Sequence, residues 1–174
     1  LAAGLAPLGV GTETDGSIIC PASYNGVVGL KPTVGLLAAA GIVPISHSQD
    51  SPGPMAVSVR VTAAFLDAMT GSDTYLAACD TGVQGLRVGV VRKHFGHHAG
   101  TDAVAEAALS ALAAAGATLV DPVDFPEIPT YDASGGVEGG DELTVLLYEL
   151  KHDLNVYLAR RPEGGPRTLT DVIA

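Results

Sequence analysis

The segment Gly11-Thr-Glu-Thr-Asp-Gly-Ser-Ile-Ile-Cys-Pro21 contains the residues best suited to chemistry. Thr14-Asp15-Gly16-Ser17 has the composition of a tight turn, because glycine accepts positive φ and Asp and Ser bond their own backbone. Ile18 and Ile19 are β-branched and favour burial, so both are expected to anchor the turn against a core. A serine hydroxyl beside consecutive backbone N–H groups combines an attacking oxygen with a nest for a developing negative charge. The same residues also make an ordinary turn, and their chemistry alone leaves both readings open. His94, His97 and His98 have spacings that zinc could use, but no Cys or carboxylate cluster joins them, and a solvated loop accounts for them. Asp124, Glu127 and Asp132 lie among Pro122, Pro126 and Pro129, which makes an extended acidic linker the better account. There is no G-x-G-x-x-G or G-x-S-x-G pattern, so neither a dinucleotide site nor an α/β-hydrolase elbow is indicated.

The elements that must position the turn read as α/β throughout. Residues 6–12 predict a short buried strand running into the turn, and 26–32 predict another, ended by Pro32. Residues 36–46 form a further apolar segment, and 48–56 predict a Gly/Pro loop. Val61, Ala64, Phe65 and Ala68 recur at helical spacing, which predicts a helix over 59–69 closed by Gly71. Residues 74–84 read as an irregular connector. Next come a strand in 85–91, a helix opened by Thr101 as N-cap and stopped by Gly116, and a strand in 117–123, in the order of a parallel βαβ unit. A Gly-rich loop is expected over 133–140. Leu143, Leu146, Leu147, Leu150, Leu154 and Leu158 then mark the stripe of a long amphipathic helix. Residues 160–167 break it, and 168–174 begin a new helix. Leu1-Ala2-Ala3-Gly4 reads like the last turn of a helix.

Composition bounds the function classes. The 174 residues are 47% hydrophobic and 16% charged, enough for one sizeable core. A net charge of −10 would repel a phosphate backbone, so direct nucleic-acid binding is not expected. Two cysteines, Cys20 and Cys79, make no disulfide framework, and reduced thiols in a cytoplasmic protein are the simplest reading. No apolar run reaches membrane-spanning length.

Residues 9–36, followed by 40–55 with their Ser-Gln-Asp and Gly-Pro-Met, closely resemble the amidase signature family of serine hydrolases. The later strand, alanine-rich helix and leucine helix are similar to its C-terminal half, most of all in the peptide-amidase-like bacterial branch. This resemblance implies a mixed central β-sheet covered by helices on both faces, with residues 1–174 as the C-terminal part of a single domain. It implies Ser17 as nucleophile in a Ser–cis-Ser–Lys mechanism, with an oxyanion hole made by the backbone N–H groups of Thr14, Asp15, Gly16 and Ser17. The family's lysine and second serine fall N-terminal to Leu1, and Lys31 does not match that lysine. Residues 1–174 alone are therefore expected to be inactive. The expected substrate is a small-molecule or peptide amide, with no cofactor and no metal; nothing in the sequence sets the oligomeric state. Many members carry Gly at the position of Asp15 and Arg at that of Ile19, which bears on the polarity of the pocket. Two other readings follow from the same fold. One is the glutamine-hydrolysing component of a tRNA-dependent amidotransferase, whose members usually read Thr-Gly-Gly-Ser-Ile-Arg. The other is a non-catalytic binding protein.

Overall fold

A computed structural model describes residues 1–124, 141–162 and 164–174. The chain forms two compact units, Leu1–Cys79 with Gly139–Ala174, and Asp80–Glu138. The expected Gly-rich loop over 133–140, and Glu127 and Asp132 of the acidic stretch, lie outside the described residues.

In the first unit, β1 (Leu8–Glu13) leads through the turn into α1 (Ile19–Tyr24), followed by β2 (Val28–Gly29) and β3 (Ser51–Ala56). The three strands form an antiparallel sheet in the order β1-β3-β2, with Leu8 opposite Ala56, Glu13 opposite Ser51 and Val28 opposite Ala56. The strand expected over 26–32 thus reduces to two paired residues. The loop expected over 48–56 is instead the central strand, which corrects the weight given to Pro52 and Pro54. Proline removes a ladder donor and is ordinarily confined to edges. Backbone groups alternate in direction along a strand, and Leu30 N–H donates to the Pro54 carbonyl. Both prolines therefore turn their missing donors towards the short β2 side, leaving Ser51, Gly53 and Met55 to pair with β1. Gly53 is required for a separate reason: a Cβ there would lie 2.0 Å from the Leu30 carbonyl oxygen.

α2 (Val59–Thr70) follows, capped by the Ser58 side chain accepting from Val61 N–H and closed by Gly71 at φ 72°. The helix and its stop are as expected, but its buried face is Thr62, Ala63, Leu66 and Asp67, on the opposite side of the helix from the expected stripe of Val61, Ala64, Phe65 and Ala68. The polar members are buried with partners: Thr62 Oγ1 donates to Ser58 O, and Asp67 accepts N–H bonds from Tyr75 and Leu76. Those bonds start α3 (Thr74–Ala78), a short helix in the stretch read as irregular. Later in the chain, α5 (Asp141–Ala159) carries the leucine stripe. Leu146, Leu150 and Leu154 are half-buried and Leu158 is buried, whereas Leu143 and Leu147 are exposed. α6 (Leu169–Ile173) opens on a capping box between Thr168 and Asp171. The core of this unit includes Ile18, Ala22, Leu37, Ala56, Leu66 and Leu158.

In the second unit β4 (Arg87–Gly89) and β5 (Thr118–Val120) pair in parallel around α4 (Ala99–Ala114), the expected strand–helix–strand unit. Parallel and antiparallel pairing are both present, as the mixed α/β class requires. Helix α4 begins earlier than expected. His98 is its N-cap, and Nδ1 of His98 accepts the Thr101 N–H at 3.1 Å. Imidazole fills the role expected of the Thr101 hydroxyl. No helix among the described residues is long and apolar enough to cross a membrane.

Candidate active site

The turn is built by a carboxylate at the end of β1. Alternation along the strand directs Glu13 inward, and it is 4% exposed. Its Oε2 accepts the N–H of Ile18 at 2.8 Å and of Ile19 at 2.9 Å. These are donors that a helix leaves free at its start, and Ile18, the N-cap residue, provides no side-chain cap. Burial pushes the Glu13 carboxyl up, but the N–H groups of Ile19, Ile18 and Gly16, with the Lys31 charge, outweigh it and hold the group below its ordinary range. Gly16 reverses the chain at φ 86° and accepts Cys20 N–H at 2.8 Å on its carbonyl.

Between these supports Ser17 is exposed at the elbow, with Asp15 also exposed, Gly16 half-buried and Thr14 buried. The four residues singled out in the sequence are consecutive members of one turn. Only one isoleucine anchors it. Ile18 is fully buried, but Ile19 is 52% exposed, because successive helical positions differ by about 100° and cannot share a face.

Thr14 is held from two sides. Its Oγ1 donates to Asp50 Oδ1 at 2.5 Å, and its carbonyl accepts from Lys31 Nζ at 2.5 Å. Lys31 is thus tied to the backbone that leads into Ser17. Lys31→Met is expected to reduce kcat by about tenfold, the loss of one charge-assisted hydrogen bond, because Asp50 still holds the threonine. This is far less than the loss expected from removing the Ser17 hydroxyl. Steady-state kinetics on the folded variants compare the two, and equal losses would promote Lys31 to proton acceptor.

A second polar cluster lies where residues 45–50 meet α5. His47 Nδ1 is 2.8 Å from Asp153 Oδ2 and 3.5 Å from Glu149 Oε2. Hydrogen bonding and charge from Asp153 raise the His47 imidazole above its ordinary value. The three donor atoms lie within 4.8 Å of one another, close enough to hold a metal ion. Two of the carboxylate oxygens and one ring nitrogen of this group, however, are already hydrogen-bonded. Glu149 Oε2 accepts Ser46 Oγ–H, Ser48 N–H and Ser48 Oγ–H, and Asp153 Oδ2 accepts the His47 N–H as well as the ring. The cluster is satisfied as a hydrogen-bonded joint. A cleft of about 440 Å³ opens beside it, lined by residues that include Gly41, His47, Asp50, Asp153, Tyr157 and Arg160. His94, His97 and His98 are exposed, and His98 Nδ1 is engaged in capping α4.

Sequence reasoning missed Glu13, Asp50, Glu149 and Asp153. Glu13 had a readable signal, an acid four residues before the serine on an alternating strand. The others act across 36 to more than 100 residues, and local patterning carries no such information.

The family model described as Amidase matches residues 1–135. A probable amidase of Arabidopsis thaliana is 38% identical over 192 residues, covering 99% of this chain and 35% of the relative. The A subunit of the glutamyl-tRNA(Gln) amidotransferase of Burkholderia pseudomallei is 36% identical over 203 residues, covering 95% and 41%. The crystal structure of the native peptide amidase from Stenotrophomonas maltophilia superposes with a TM-score of 0.76 at 41% identity, covering 99% of this chain and 37% of that one. The chain therefore spans between 35% and 41% of the length of these relatives.

Proposed function

This chain belongs to the amidase family, and we propose that the protein containing it hydrolyses a linear carbon–nitrogen amide bond through a serine acyl-enzyme on Ser17. The observation that carries this reading is the exposed Ser17 hydroxyl at the elbow between β1 and α1, on a turn held by Glu13, Lys31 and Asp50. Ser17 Oγ attacks the amide carbonyl carbon and gives up its proton to a base. The tetrahedral oxyanion is held by backbone N–H groups of the Thr14–Ser17 turn, which stabilise charge only as it develops. The C–N bond then breaks, the amine or ammonia leaves with a proton, and water attacks the ester to release the carboxylate. Serine is a weak nucleophile at neutral pH and needs that base. The family's lysine and second serine, N-terminal to Leu1, fill the role in this proposal. A small-molecule or peptide amide is the substrate, and the cytoplasm is the compartment.

The likeness to the A subunit of an amidotransferase supports a second reading, hydrolysis of glutamine to supply ammonia to a partner. The discriminating experiment measures ammonia or amine release by the whole protein from peptide amides, simple alkyl and aryl amides, and glutamine. Turnover of a peptide or simple amide without any partner is expected. Turnover confined to glutamine would favour the second reading, and no turnover of any amide would refute both.

A further inference from the structure

We propose that Glu149 and Asp153, on α5, are positioning residues for Ser17 that act through the 45–50 turn and the Asp50–Thr14 hydrogen bond. This rests on the reading of Ser17 as nucleophile. The turn has four consecutive backbone N–H groups, and each donates to a carboxylate. Those of Ile45 and Ser46 go to Asp50 Oδ2, both at 2.9 Å. That of His47 goes to Asp153 Oδ2 at 3.1 Å, and that of Ser48 to Glu149 Oε2 at 3.2 Å. Side chains reinforce the joint, with His47 Nδ1 on Asp153 and the hydroxyls of Ser46 and Ser48 on Glu149.

Glu149 and Asp153 stand four residues apart, so one helix face presents both. Their side chains are 12% and 11% exposed and Ser46 is fully buried, whereas the bonds from His47 and Ser48 lie at the surface. The turn also fixes Asp50 through its own backbone, whose N–H donates to Ser46 O at 2.7 Å. The remaining Asp50 oxygen, Oδ1, takes the Thr14 hydroxyl, three residues before Ser17. A continuous chain of hydrogen bonds, part-buried at Ser46 and Thr14 and exposed at His47 and Ser48, thus joins α5 to the nucleophile's turn. Releasing the turn from α5 frees Asp50 to move, and Thr14 moves with it. Misplacement by about 1 Å, caused by a change far from the reacting atoms, can cost about 100-fold in rate.

The test is made in the whole protein, reading kcat and KM on a hydrolysed amide and the rate constant for fluorophosphonate labelling of Ser17. Asp153→Ala and Glu149→Ala are expected to slow labelling and kcat together, by about 10- to 100-fold, with KM within about twofold. Asp153→Asn and Glu149→Gln keep an acceptor oxygen and are expected to restore most of the rate. Asp67→Asn, in a buried acid that caps α3 outside this chain of bonds, is expected to lower thermal stability without slowing labelling. Thr14→Val combined with Asp153→Ala is expected to lose no more than the worse single variant, the mark of residues acting in series. Wild-type labelling rates in folded Ala variants, or additive losses in the double variant, would overturn the proposal. Should Asp153→Ala not fold, Glu149→Ala, which leaves Asp153 holding the turn, carries the same test. Wild-type protein that hydrolyses amides but does not label at Ser17 would refute the nucleophile reading itself.

Discussion

Ser17→Ala, made in the whole protein, is expected to lower kcat for amide hydrolysis by about 10⁵-fold or more, the scale seen when a nucleophilic serine is removed. The substitution deletes one oxygen from an exposed side chain. It opens no cavity and leaves the Glu13 bonds to Ile18 and Ile19 in place, so stability should change by no more than about 0.5 kcal/mol. That separation gives the prediction its force, because lost activity at unchanged melting temperature locates Ser17 in the chemistry. Near-normal turnover by a folded Ser17→Ala protein would remove it from the mechanism.

The second large effect is on stability. Glu13→Ala is expected to destabilise the fold by about 3 kcal/mol, because it removes two charge-assisted bonds and leaves two helix-starting N–H groups without their acceptor. Denaturant unfolding measures this, and a loss below about 1 kcal/mol would contradict it. The same group sets a pH dependence. Its carboxyl is held below the ordinary glutamate value of 4.5 in the folded protein, so the unfolded chain takes up the proton first. The stabilisation is fully present above that ordinary value and is lost as pH falls through the depressed folded value. Glu13→Gln, which keeps an acceptor but no charge, should show a shallower loss of stability on acidification. Identical acid profiles for wild type and Glu13→Gln would argue that the carboxylate is not what holds the turn.

Much of this architecture is legible in the sequence, and the failures have physical causes. Helix α2, its Gly71 stop, the parallel β4–α4–β5 unit and the break before α6 follow from periodicity and capping chemistry acting over a few residues. Strand β3 escapes such a reading because Pro52 and Pro54 look like loop residues until their two-residue spacing is seen to put both missing donors on one edge. Ser17 and its neighbours stand out by composition, since a turn must be made of turn residues. The supports do not. Apart from Glu13, which an alternating strand places four residues before the serine, they look like solvated acids in the sequence, and only the fold shows the carboxylates of Asp50, Glu149 and Asp153 collecting backbone N–H groups. The same chemistry explains how a chain of net charge −10 keeps these acids in sheltered positions. Each accepts two or more hydrogen bonds, which satisfy its oxygens where burial limits water.

Mapping the site of covalent labelling tests the central claim most directly. The whole protein is treated with a fluorophosphonate, digested, and its modified peptide sequenced by tandem mass spectrometry. The account predicts one phosphonylated serine within this chain, Ser17, with labelling suppressed by a competing amide substrate. A label on Ser23, Ser46, Ser48 or Ser51 with Ser17 unmodified, or an active protein that takes up no label, would contradict it.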